Sequence, residues 1–308
     1  MLTAERLERA LESRDVEDAA RIIAECGYTD MLDMPADEIE TVLAARREAE
    51  FSELIALSPE NEVVDIFRLR YDYHNAKALI KANALGVDAS GMLSRCGRFE
   101  PEKFAAFAAG KCTASLPPVF AQAIESAANT LAQTENPQFA DFELDRAYFS
   151  ELLGLAVLSG SAFLRDYVRL IIDIYNLRAA VRALKIGIGA EALSHILALG
   201  GSVGTERILS SLENGAVTEL YTAPLKKAAE LGLGYLNGGS AAEFECGCDE
   251  VLSGFLKRAV TKGFGDAVVI AYLANLEREI IAVRAVLTGR KAGLNPSAIR
   301  ESLRGIYA

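Results

Sequence analysis

Around Asp173 the apolar residues recur at helical spacing. Stepping 100° per residue from Asp173, Leu184 falls at about 20°, Leu177 at about 40°, Leu170 at about 60°, Val181 at about 80° and Ala180 at about 340°. The pattern predicts a helix whose apolar arc contains a carboxylate. Asn176 sits on the edge of that arc, while Arg178 and Arg182, four residues apart, face away from it. Elsewhere Ala, Leu, Glu, Arg and Ile fill long stretches, and alternating runs of Val, Thr and aromatic residues are scarce. Prolines stand where helices are expected to begin: Ser58-Pro59-Glu60, Pro35 ahead of Asp37 and Glu38, Glu100-Pro101-Glu102, and Pro296-Ser297. Gly200-Gly201-Ser202, Gly238-Gly239-Ser240 and Pro117-Pro118 read as loops. The chain is expected to be all-α.

The Asp173 helix is not unique. Aligning Asp72 with Asp173, 101 residues on, gives identities at Arg68/Arg169, Leu69/Leu170, Asp72/Asp173, Asn75/Asn176, Ala78/Ala179, Ala82/Ala183 and Gly86/Gly187. Average composition predicts about one or two by chance over such a window. Lys77/Arg178 and Lys81/Arg182 keep their charge. A weaker third copy follows 106 residues later, with Glu279 for the acid, Ala282 for the Asn, Arg284 for the cation, Ala285 for the Ala and Gly293 for the closing Gly; Asn275 replaces the leading Arg. Repeats at a fixed period mean stacked units of similar build. Three helical units are expected, 1–110, 111–205 and 206–308, each with one signature helix.

A buried carboxylate must be paired or hydrogen-bonded. Arg68 and Arg169 lie four residues before Asp72 and Asp173, within reach of an i,i+4 pair. Two roles are open for each Arg–Asp–Asn trio: a polar clamp tying the helices of one unit together, or the lining of a shared cavity that meets a partner. Catalysis fits neither, since a carboxylate salt-bridged to Arg is held ionised and makes a poor general acid or base. Lys77, Lys81, Arg178 and Arg182 form either a solvated face or a docking surface for an acidic partner.

Composition narrows the classes further. The 308 residues carry 32 Lys and Arg against 43 Asp and Glu, a net charge of −11, which disfavours nucleic-acid binding. Five scattered cysteines, an odd number, suit a reducing compartment better than a disulfide framework. The start, Met1-Leu2-Thr3-Ala4-Glu5-Arg6, is no signal peptide, and the greasy runs at 152–164 and 267–276 are too short to span a bilayer. A soluble or peripheral protein is expected. The two histidines, His74 and His195, lack metal-ligand spacing, and Cys246-Gly247-Cys248 has no second pair beside it. Neither a phosphate-binding Gly-rich loop nor a dinucleotide fingerprint occurs, and Gly200–Gly204 lacks the lysine that such a loop needs. No catalytic, cofactor or metal site is expected, and no small-molecule substrate.

Phe67 to Ala82, Asp173 to Arg178, Glu279 to Gly293 and the ending Ile299-Arg300-Glu301-Ser302-Leu303-Arg304 together resemble the C subunits of the A/V-type ATP synthases, the counterparts of the eukaryotic V-ATPase d subunit. The departure is Ala282, where the family commonly has Asn. The resemblance implies three related helical domains forming a funnel about a pseudo-threefold axis. It implies a non-catalytic rotor subunit, without cofactor, set between the central stalk and the membrane proteolipid ring at the cytoplasmic face. The isolated chain would be monomeric. Arg68, Asp72, Asn75, Lys77, Lys81, Arg169, Asp173, Asn176, Arg178, Arg182, Glu279 and Arg284 are the clamp or interface candidates. A helical-repeat adaptor for an acidic or helical partner is the alternative.

Overall fold

The computed structural model describes residues 2–57, 62–108, 116–212, 214–261 and 263–303. Among them there are fourteen α-helices and no strand. A short pair opens the chain, α1 (Ala4–Leu11) and α2 (Val16–Ala24), followed by the long pair α3 (Ala36–Leu57) and α4 (Glu62–Leu85) and by α5 (Pro101–Ala108). The next stretch comprises α6 (Pro118–Thr134), the long pair α7 (Pro137–Leu158) and α8 (Ala162–Ile186), and the short α9 (Ala190–Ser194) and α10 (Thr205–Leu212). Then come α11 (Lys226–Leu236), the third long pair α12 (Ala241–Val260) and α13 (Asp266–Lys291), and α14 (Pro296–Ser302).

Local chemistry sets the helix boundaries. Thr3, Asp15, Ser161, Ser240 and Asn295 each accept a backbone N–H of the following first turn, satisfying a donor that the helix itself leaves free. Pro101, Pro137 and Pro296 open their helices, where the missing N–H costs nothing. Pro118 does the same for α6, so the Pro117-Pro118 loop is a helix start. The Ser58-Pro59-Glu60 start, the boundary near 110, Cys112 and Arg304 lie outside the described residues.

The three closing glycines of the repeat share one conformation. Gly86, Gly187 and Gly293 have φ of 67°, 75° and 75°, the left-handed region open to a residue without Cβ. After each, the next N–H reaches back to a carbonyl five residues earlier: Val87 to Ala82 (3.0 Å), Ile188 to Ala183 (2.8 Å) and Leu294 to Gly289 (2.9 Å). This is the Schellman closure of a helix C-terminus.

The second helix of each long pair is the more deeply buried: α8 and α13 bury residues along most of their length, and α4 all along its middle. The helix α4 meets α8 through an aromatic pair and α13 through an ion pair, the latter at matched positions of the repeat. Phe67 stacks on Tyr167 with ring centroids 6.1 Å apart, and Arg70 pairs with Glu277. The apolar core runs continuously from α1 to α14.

Candidate functional site

The signature acids and asparagines act on the segment that follows their own helix. Asn75 accepts the Ser94 N–H (2.7 Å) and donates to the Ser94 carbonyl (2.8 Å); Asn176 does the same with Ala198 (2.9 and 2.8 Å). One amide side chain thereby closes a two-way clasp on a stretch of backbone. Asp72 accepts from the backbone N–H groups of Arg98 (2.9 Å) and Phe99 (3.4 Å), and Asp173 from those of Ser202 (2.7 Å) and Val203 (3.3 Å). All four side chains are buried.

These clasps require glycine beside them. A Cβ at Gly97 would run into Asp72 Oδ1, and one at Gly201 into Asp173 Oδ1. Both glycines are matched at the same spacing, 104 residues, as the clasped residues Ser94 and Ala198. In the third copy the clasp is built from elsewhere. Glu279 accepts from the Leu2 N–H (2.8 Å) and the Tyr28 hydroxyl (2.8 Å), so the start of the chain closes onto α13; Ala282 is packed in the core.

The leading arginines do not form the expected i,i+4 pairs. Arg68 turns to Asp65 (3.3 Å) and to the Gly97 carbonyl (2.5 Å), and Asp72 takes Arg98 (2.6 Å) as its ion-pair partner. Arg98 also reaches Glu151 on α7 (2.8 Å), which accepts the Tyr73 hydroxyl (3.0 Å). Arg169 makes no ion pair or hydrogen bond among the described residues, although Asp173 is a turn away. Arg98 belongs to the very stretch of backbone that Asp72 holds, so its side chain is brought to the buried carboxylate by the clasp itself. The carboxyl of Asp72 is raised to about 6, because burial outweighs Arg98 and the two N–H donors; the expected depression does not occur.

The outward cations are committed to neighbouring helices. Lys77 and Lys81 on α4 pair with Asp145 (2.6 Å) and Asp141 (2.7 Å) on α7. Arg178 on α8 pairs with Glu245 (2.6 Å) and Asp249 (2.8 Å) on α12, and Arg182 with Glu245 (2.7 Å). Arg284 on α13 pairs with Glu40 (2.6 Å) on α3. Glu40, Asp141 and Glu245 are themselves spaced by 101 and 104 residues. The same link therefore joins α4 to α7, α8 to α12, and α13 back to α3. Each of these cations therefore has an acidic partner on a neighbouring helix, while Arg182 keeps 62% of its side chain exposed.

Sequence reasoning missed a second closure. Glu277, only 4% exposed, is met by Arg47 from α3 (3.1 Å), by Arg70 from α4 and by the Tyr71 hydroxyl (2.9 Å), with Arg47 equally buried. The one signal was an acid among the apolar positions of α13, and nothing in the local pattern names its partners. The His74 ring lies 3.2 Å from the Met92 carbonyl. Cys248 is buried, its thiol pushed up to about 12 by burial, and Cys246 is half-buried on the same helix. Among the described residues no group of three His, Cys, Asp or Glu could hold a metal ion, and no helix is long and apolar enough to cross a membrane.

Known proteins match this chain along most or all of its length. The C subunit of the A-type ATP synthase of Methanocaldococcus jannaschii is 23% identical over 97% of this chain and 81% of its own. The C subunit of the V-type sodium ATPase of Enterococcus hirae is 22% identical over 100% of this chain and 94% of its own. The C subunit of the V-type ATP synthase of Thermus thermophilus is 28% identical over 79% and 74%. The family profile described as ATP synthase (C/AC39) subunit matches residues 1–302. The chain thus belongs to the ATP synthase (C/AC39) subunit family, and is a structural subunit of a rotary ATPase that performs no catalysis itself.

Proposed function

We propose that the chain couples the central stalk of a V/A-type rotary ATPase to its membrane proteolipid ring, at the cytoplasmic face, during transport of H⁺ or Na⁺. Such a part must pass torque without yielding, which calls for a stiff body rather than a reactive site. The observation that carries the reading is the set of matched ion pairs from α4 to α7, from α8 to α12 and from α13 back to α3. We read them as the joints between three helical units, 1–110, 111–205 and 206–308, set around a common axis as a funnel. The return of α13 to α3, reinforced by Glu277 and Glu279, makes the succession a closed one. A closed ring of close-packed helices resists twisting better than an open stack with free ends.

Affinity purification of the tagged chain from gently solubilised membranes tests this. Stalk and proteolipid subunits are expected to co-purify in fixed ratio. Removing the chain is expected to leave ATP hydrolysis in the soluble head and abolish ion transport driven by it. Recovery of a fully coupled complex lacking the chain would overturn the reading.

A further inference from the structure

The first two signature helices carry the same Asp and Arg at i,i+3, Asp65/Arg68 and Asp166/Arg169, but use them differently. The first pair is closed at 3.3 Å, with Arg68 also bound to the Gly97 carbonyl. The second makes no ion pair, and its residues border an open cavity of about 470 Å³. Arg207 and Arg258 line the same cavity. Neither guanidinium has an ion pair or hydrogen bond among the described residues, and that of Arg258 lies over the Phe255 ring, 4.8 Å from its centroid. Most other arginines of this acidic chain are spent on carboxylates, so three uncommitted ones around one hollow are unusual.

A second observation concerns the same lining. Tyr221, 4% exposed, lines the cavity, and its hydroxyl is buried without any hydrogen-bond partner. A buried orphan hydroxyl costs free energy that a bound acceptor would return. Asp173 also borders the cavity, but its Oδ1 is held by the Ser202 and Val203 N–H groups. That leaves three guanidinium groups and a hydroxyl donor against the carboxylates of Asp166 and Asp173. Guanidinium forks match the oxygens of phosphate bidentately, and the volume is of small-ligand size.

We propose that the cavity bounded by Arg169, Arg207, Arg258 and Tyr221 binds a phosphate group, either free inorganic phosphate or the phosphoryl end of a small phosphomonoester. Binding is an equilibrium without chemistry, independent of the coupling role above. It would place an anion between the first half of α8 and the C-terminal end of α12.

The test is thermal unfolding of the full purified chain with increasing inorganic phosphate, or with glycerol phosphate, at constant ionic strength held by chloride. A saturable rise in Tm is expected with at least one of the two. Tighter binding of glycerol phosphate would identify a phosphomonoester, and equal binding the free ion. Replacing Arg169, Arg207 and Arg258 together by Gln should weaken the response at least tenfold while lowering the ligand-free Tm by no more than the loss of the Arg258–Phe255 stacking, because none of the three guanidinium groups makes an ion pair or hydrogen bond among the described residues. Tyr221→Phe should weaken it severalfold without lowering the ligand-free Tm, a combination that a merely structural tyrosine would not give. Arg9→Gln, remote from the cavity, should respond like the parent. No phosphate-dependent rise with either compound, or an equal rise in the triple variant, would overturn the proposal.

Discussion

Gly97 and Gly201 are small because Asp72 and Asp173 need the room. Each carboxylate turns an oxygen to two consecutive N–H groups just past the glycine, and a Cβ there would push it away from both. Displacing a buried carboxylate from its donors leaves charge and N–H groups unsatisfied together. Gly201→Ala and Gly97→Ala are each expected to destabilise the fold by roughly 2–4 kcal/mol, within the range for breaking a buried polar network. Urea unfolding checks this, and a loss under about 1 kcal/mol at both sites would show that the clasps bend easily. The motif residues Asp72, Asn75, Asp173 and Asn176 were legible in the sequence because their offset repeats. Gly201 was legible only as part of a loop and Gly97 carried no signal of its own, since the need for each comes from an aspartate 28 and 25 residues earlier in the chain.

At the scale of helices, boundaries and joints obey different rules. Capping hydroxyls, first-turn prolines and closing glycines act over a few residues, so helix ends follow from the sequence around them. Joints depend on which helix lies alongside. The α4–α7 joint, Lys77–Asp145 and Lys81–Asp141, is partly shielded, with side chains 26–40% exposed. Lys77→Glu is expected to destabilise by about 1 kcal/mol, and Asp145→Lys on top of it to recover most of that loss. A double-mutant cycle would measure a coupling of about 0.5–1 kcal/mol. The reading of these cations as joints fails if the two losses simply add. The acidic partners carry their own signal, Asp141/Asp145 and Glu245/Asp249 at i,i+4 and 104 residues apart, which becomes meaningful once α7 and α12 are seen beside α4 and α8.

For the whole molecule the decisive feature is that late segments hold early ones. Glu277 binds Arg47, Arg70 and Tyr71 across α3, α4 and α13, while Glu279 receives the backbone of Leu2 and the hydroxyl of Tyr28. Removing one partner from such a buried set strands the others. Glu277→Ala is expected to cost roughly 3–5 kcal/mol by leaving Arg47 charged and unpaired in the interior. The loss should fall on α3 and α4 as well as α13, read by hydrogen exchange as lower protection in all three. Protection lost on α13 alone would mean that the contact does not join the early and late helices.

The sequence alone determined the helical class, the helix ends with their caps and closing glycines, and the recurrence that led to the ATP synthase (C/AC39) subunit family. Those properties are written in residues within a few turns of one another, or in a pattern that survives translation along the chain. Tertiary structure alone decided that Arg98 rather than Arg68 neutralises Asp72, that the outward cations bind acids on neighbouring helices, that Glu277 ties α13 to α3 and α4, and that Arg169 faces an open cavity. Each is a choice among many oppositely charged residues of the same chain. Proximity makes that choice, and proximity between distant segments comes from how the long helices pack, which no local pattern specifies.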